Sequence, residues 1–510
     1  MRLPLIASLA ALSAASCSKL VDVDLQVVEP CGQEDKALNG VTSFRMLSSG
    51  ADAADGDNVV AFKTGEPSGM SVGLSAKGLV VTVEGFAEDI TVGADPTAPT
   101  VAPRSVGRTM PLLITEGSPP LRGTILVGGV DTFGAPRDVD GNCSKMGDNG
   151  TAIDGRHAHT VTYIPGANKV LIFGGAVWAD PDGDGTVEES FLRSAEVYDP
   201  LTGTFSQLPQ PANPRAYHTA TALGDGTGRV IIWGGLSTLN GATASLRNAE
   251  IVDINNTASP YTTVLTATSR AHHTATLLAD IGLLVVVGGC TGSAADGCST
   301  TSAAGDTTGI LPSIELMSLS DLTTTKSAQG TLALPRAMHQ AVGFASGNAG
   351  VIAIVGGLNA GGALRGIEVL QVDNGDIVNI NSTADALPRP LVRHQATLFN
   401  AERIEFAVTG GQDQAPGGAL STAAPGTNEV LSCSLADNQV SCLQLPALQT
   451  ARHGHAAVRL RDGTLLVMGG VTPPGAASAE GLRAIRGSNP PEFGWEATSP
   501  VGPLAVPRDR

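Results

Sequence analysis

From about residue 150 onward, hydrophobic and polar positions recur in one order. A stretch of small residues carrying a histidine leads into a short apolar, β-branched run that closes on Gly-Gly. The runs are VLIFGG (170–175), VIIWGG (230–235), LVVVGG (284–289), VIAIVGG (351–357), FAVTGG (406–411) and LLVMGG (465–470). A third element follows at variable distance: LRSAEVYD (192–199), LRNAEIVD (246–253), LPSIELMS (311–318), LRGIEVLQ (364–371) and TNEVLSCS (427–434), with LRAIRG (482–487) last. A fourth runs toward Pro209, Leu334-Pro335 or Leu445-Pro446, and contains Trp495 in the last copy. Runs of this length, bounded by Gly, Pro, Asn and Asp, predict strands. Four short strands per copy, with second glycines 54–68 residues apart, predict a radial array of four-stranded blades.

The spacing inside the copies is nearly constant. The histidines are His159, His218, His273, His339, His394 and His455, and each lies 15–18 residues before the second glycine. Arginine stands three residues earlier as Arg156, Arg215, Arg270, Arg336 and Arg452, whereas the fifth copy has Leu391 there and Arg393 beside the histidine. Glu196, Glu250, Glu315, Glu368 and Glu429 recur in the third element, and Arg486 takes that place in the sixth. An arginine–glutamate ion pair within or between blades is expected, and it cannot form in the same way in the fifth and sixth copies. This arrangement resembles the kelch repeat, which combines an early Arg and His, a strand ending in Gly-Gly, a Glu/Tyr strand and a late Trp. The resemblance covers 151–510 in six copies and implies a six-bladed kelch β-propeller. It departs from the family in its aromatics: Phe205 replaces the late Trp in the first copy, and only Tyr198 keeps the Glu-x-Tyr.

Residues 20–118 carry no such element. VDVDLQVVEP, VTSFRMLSS, NVVAFKT, SVGLSA, LVVTVEGF and MPLLITEG are short alternating or β-branched runs. They predict a small β-sandwich, Ig-like in length. Residues 119–150 read as a linker and entry strand. Its diglycine, Gly128-Gly129, either ends a strand leading into the propeller or marks a seventh, degenerate blade, and residues 121–135 are a candidate to close the ring on an exposed edge.

At the amino terminus, Arg2 and about a dozen apolar residues form a secretory signal over 1–16, too short to span a bilayer. Ala14-Ala15-Ser16-Cys17 resembles a bacterial lipobox, which implies a lipid on Cys17; the competing reading is ordinary cleavage with a free thiol. Ser18 rather than Asp after that cysteine implies the outer membrane of the cell envelope. Lipidation of one of the seven cysteines leaves six for an oxidising compartment. Cys433 and Cys442 flank a four-residue turn, which predicts a cross-hairpin disulfide. Cys290 and Cys298 share a Gly/Ala/Ser-rich loop, and Cys31 with Cys143 is the pair that remains.

Composition narrows the functional classes. A net charge of −17, becoming −18 once Arg2 leaves with the signal, and the lack of a basic block exclude a nucleic-acid footprint. Asp180, Asp182 and Asp184 with Gly185 match the first half of an EF-hand-type loop, so Ca2+ is a candidate ligand there. Position 12 of that loop is Phe191, leaving Glu188 and Glu189 as substitutes; the alternative is a solvated acidic turn. All nine histidines fall in the repeat's first strand, a distribution expected of blade packing rather than a metal centre.

No catalytic motif stands out. The chain reads first as a non-catalytic envelope protein that presents propeller loops 176–191 and 290–310 to a protein or glycan partner. The alternatives are a kelch enzyme acting on a sugar, of copper-oxidase or sialic-acid-epimerase type, and a surface spacer. A converging pocket of Asp, Glu, Arg and Tyr on the axis would favour the enzyme; a flat, loop-dominated face would favour binding.

Overall fold

The structure, a computed structural model, describes residues 20–29, 38–50, 58–63, 70–73, 75–90, 103–108, 112–114, 121–129, 137–138, 147–148, 151–152, 156–179, 188–200, 204–239, 242–291, 309–400, 405–413, 426–436, 439–459, 465–471, 479–485 and 492–496. The chain divides into two compact units, the first of residues 1–29 and 35–130, the second of 30–34 and 131–510.

The first unit holds two sheets. In one, Leu20–Val28 lies between Met70–Gly73, antiparallel, and Leu121–Leu126, parallel. In the other, the order is Asn58–Lys63, Ser43–Gly50, Ser75–Phe86, Ser105–Arg108 and Gly128–Gly129, with Leu112–Ile114 also paired to Ser75–Phe86. Apolar residues alternate along its two long strands and are buried: Phe44 and Met46 on one, Leu79, Val81 and Val83 on the other, with Arg45 between the first two buried as well and paired with Glu84. That period of two places the apolar side chains on one face of the sheet. The residues 121–129 do not lead into the second unit as the sequence suggested. They add to both sheets of the first, with Ile125 and Val127 buried, so this segment's apolar residues are used there and its diglycine pairs with Ser105–Val106.

The second unit is all-β. Its described residues form six antiparallel four-stranded meanders, here sheets 1 to 6, whose first strands are Thr160–Ile164, Thr219–Ala222, Thr274–Leu278, Gln340–Ser346, Gln395–Asn400 and Ala456–Arg459. The only helix among the described residues is a single 3-10 turn, Ala279–Ile281. Sheet 1 carries a fifth strand, Arg137–Asp138, parallel to its outer strand Thr204–Gln207. First strands of successive sheets lie side by side. The architecture is consistent with a β-propeller-like fold.

The apolar runs before each diglycine are the second strands, and those of sheets 2 to 5 are buried on both faces, whereas Leu465–Met468 of sheet 6 buries only Leu465 and Val467 fully. Within Leu283–Val287 all five residues are buried: Leu284 and Val286 pack toward Ile231 and Trp233 of sheet 2, Leu283 and Val285 toward Ile352 and Ile354 of sheet 4. A continuous run rather than an alternating one is what a strand between two neighbours needs. Similar layers join sheets 1 and 2, 4 and 5, and 5 and 6. No such layer joins sheets 6 and 1 among the described residues, and there Val161 and Val458 are 62% and 46% exposed.

Candidate functional site

The recurring Arg, His and Gly-Gly form a framework that ties each sheet to itself and to the next. Arg156, Arg215, Arg270 and Arg336 pair with Glu196, Glu250, Glu315 and Glu368 of their own sheets at 3.2, 2.9, 2.7 and 2.5 Å. All eight groups are buried, and the Arg215–Glu250 pair is angled away from a hydrogen bond. The second guanidinium nitrogen donates to the carbonyl of the first glycine, at 3.0 Å for Arg215 to Gly234 and 2.8 Å for Arg452 to Gly469. Thus the pair forms within sheets. In sheet 5, where Leu391 replaces the arginine, Arg389 reaches Glu429 instead, at 2.9 Å from a half-exposed position. Arg486 lies outside the described residues.

Adjacent sheets are joined through the diglycine. The N–H of Gly235 donates to the carbonyl of Arg270 at 2.9 Å, and Gly175, Gly289, Gly357 and Gly411 make the same bond to sheets 2, 4, 5 and 6. A Cβ on Gly234 would stand 2.2 Å from that Arg270 oxygen, and its φ is +58°. Close approach and a left-handed backbone together require glycine there. The repeat histidines complete the joint: the Nε2 atoms of His218, His273 and His339 meet the hydroxyls of Thr160, Thr219 and Thr274 in the preceding sheet at 2.9–3.0 Å. In sheet 6, His455 uses Thr409 at 2.8 Å. Burial, reinforced by the neighbouring arginine, holds His218, His273 and His339 well below the ordinary imidazole range, and burial takes His394 down to about 4. These imidazoles are neutral, and those of His218, His273 and His339 are the joints between sheets.

A cavity of about 510 Å³ opens where the first strands converge, lined by residues of all six sheets. Its chemistry is concentrated at one group of side chains. The Glu189 carboxylate, 4% exposed, is shared by the His157 imidazole at 2.7 Å and the Tyr217 hydroxyl, which donates to the same oxygen at 2.5 Å. Trp178, 56% exposed, stacks on His157 with centroids 5.6 Å apart and planes at 16°. Tyr217 in turn lies 4.3 Å from the His272 ring. Burial, then the charge of Arg393, brings His272 down to about 3, so it is a neutral imidazole at any ordinary pH.

The sequence-predicted residues fall out unevenly. Of segment 176–191, Ala176–Ala179 and Glu188–Phe191 form a ribbon that carries Trp178 to the cavity and Glu189 to His157 and Tyr217 behind its wall. Glu189 is therefore engaged by His157 and Tyr217; Asp180, Asp182, Asp184 and the Glu188 side chain lie outside the described residues, and the described residues hold no cluster fit for a metal ion. In the 290–310 loop, Cys290 is disulfide-bonded, while Cys298 lies outside the described residues, as do Cys17, Cys31 and Cys143. Cys433 and Cys442 face each other across the hairpin of Val430–Ala436 and Gln439–Gln444 and are bonded. Missed altogether were His157, Tyr217, His272 and Arg393 as site residues. The available signal was that His157, His272 and His453 stand off the repeat position.

No protein-family model and no curated protein matches the chain. Among solved structures it is similar to that of YjhT, at 14% identity over 69% of this chain and all of that one, with a TM-score of 0.48.

Proposed function

We propose that the protein is an envelope lipoprotein, anchored through Cys17, whose second unit is a six-bladed kelch propeller preceded by an Ig-like sandwich, and that it binds a small saccharide at the mouth of its central cavity. The observation that carries this reading is the exposed Trp178 held flat on His157 beside the Glu189–Tyr217 pair. A sugar ring offers an apolar C–H face and a rim of hydroxyls. An aromatic platform bordered by a phenol, imidazoles and a guanidinium answers both, and the cavity has the size of a small-molecule site. Of the protein or glycan partner expected on the loops, this keeps the glycan, or a glycan terminus, and moves it into the pocket.

A second reading, an enzyme acting on that sugar, is favoured by one specific observation. Tyr217, His157, His272 and Arg393 line the cavity, and behind them the buried Glu189 carboxylate is hydrogen-bonded to both His157 and Tyr217. An imidazole and a phenol backed by a buried carboxylate are suited to general acid–base work.

Calorimetric titration with neutral, amino and acidic mono- and disaccharides tests the proposal. Saturable one-to-one binding is expected, weakened at least about tenfold by Trp178→Ala, the loss of one stacking contact, and also weakened by Glu189→Gln. Turnover of the bound sugar, followed by NMR and abolished by Glu189→Gln, would select the enzyme. No binding across the panel would overturn both.

A further inference from the structure

One backbone feature recurs at the cavity without any sequence motif to announce it. The residue immediately before each repeat histidine is left-handed: Ala158, Tyr217, His272, Met338 and Arg393 have φ between 52° and 56°, and Gly454 has φ of 62°. All six line the cavity. Their peptide groups are linked from sheet to sheet, the N–H of Tyr217 donating to the Ala158 carbonyl at 3.0 Å, His272 to Tyr217 at 3.1 Å, Met338 to His272 at 2.9 Å and Gly454 to Arg393 at 2.8 Å. The residue before each one bridges the residue after a diglycine, as in His157 with Ala176 and Ala271 with Cys290. The chain is thus fixed on both sides, whatever the side chain.

Left-handed backbone is uncommon for residues with a Cβ and most so for bulky ones. Among the described residues seven non-glycine positions adopt it; two are asparagines, Asn168 and Asn374, which tolerate it, and the other five are in this ring. Gly454 shows that the ring accepts glycine. A conformation that glycine would hold without strain nevertheless carries tyrosine, histidine, methionine and arginine, so the side chains themselves are what the position is for. One of them also has an unused group: Nε2 of His272 is buried and makes no hydrogen bond.

We propose that this ring is the specificity-determining layer of the cavity, resting on the saccharide reading above. The backbone is a constant mount, and the residue before each repeat histidine alone selects the ligand. Tyr217, His272 and Arg393 present hydrogen-bonding groups to one edge of the sugar. Ala158 and Gly454, which carry no more than a methyl group, leave the space that its far end occupies.

The test uses the full mature chain and the saccharide panel. His272→Gly and Arg393→Gly each remove a side chain at a position where glycine is unstrained, and Gly454→Asn adds one with a residue that tolerates the conformation. Asn374→Gly is the control, left-handed but outside the cavity. The expected result is a Tm unchanged or higher in both glycine variants, at least tenfold weaker binding, and a changed order of preference among the saccharides. Gly454→Asn should discriminate against the longer ligands, and Asn374→Gly should bind as the parent does. Glycine variants that bind within twofold of the parent with the same preference would overturn the ring's role. A sharp drop in their Tm with preference intact would assign these side chains to the fold instead. A parent that binds no saccharide would instead defeat the saccharide reading on which the ring depends.

Discussion

The buried joints between sheets and the mouth of the cavity lie a residue or two apart along the chain, yet they behave oppositely. At the joints the same residues are used again and again: a neutral histidine on a threonine hydroxyl, a buried arginine on a glutamate, a glycine N–H on the next sheet's carbonyl. At the mouth the six equivalent positions hold Ala, Tyr, His, Met, Arg and Gly on one unchanging backbone. Repetition marks what holds the sheets together. Divergence on a fixed scaffold marks what meets a ligand.

If that division is right, substitutions at the joints should lower stability and leave saccharide affinity alone. The largest effect is expected for Glu315→Ala. It strands the buried Arg270 guanidinium and frees the Ala267 and Thr268 N–H groups that Glu315 also accepts, at a cost of about 3–5 kcal/mol read from urea unfolding. Next comes acidification. His218, His273, His339 and His394 have pKa values depressed by burial, so the unfolded chain binds protons that the folded one does not. Stability is full above about pH 6.5, the ordinary imidazole value, and is lost as pH falls through the folded value of about 4 for His394. Thermal melts across that window check it. Thr409→Val, which deprives His455 of its hydroxyl partner at a joint away from the cavity lining, should cost about 1–2 kcal/mol. Arg389→Ala is the smallest, at most about 1 kcal/mol, because its half-exposed ion pair with Glu429 is screened by water. An affinity change as large as the stability change in any of these substitutions would erase the distinction.

The two regions were also unequally legible. Joints repeat, so the spacing of Arg156, His159 and Gly174-Gly175 exposes them, and the same logic found the Cys433–Cys442 bond across its turn. The mouth has no period. Tyr217 and Arg393 are visible only once the left-handed backbone places them, and Glu189 reads as an acidic-loop residue until the 176–179 and 188–191 strands pair. Arg389 substitutes for the arginine lost at Leu391 from two residues away, a rescue that only folding can reveal. Likewise nothing in GTILVGG distinguishes a strand entering the second unit from one that completes the first; the parallel pairing with Leu20–Val28 decides it.

The central claim is that a saccharide sits against Trp178 at the mouth, and that residue reports on it directly. Trp233 is buried in the layer between sheets 2 and 3, whereas Trp178 is exposed beside the cavity. Titrating the saccharide panel while following tryptophan fluorescence should give a saturable change in the parent protein that disappears in Trp178→Phe. No change with any saccharide, or a change that survives in Trp178→Phe, would contradict the account.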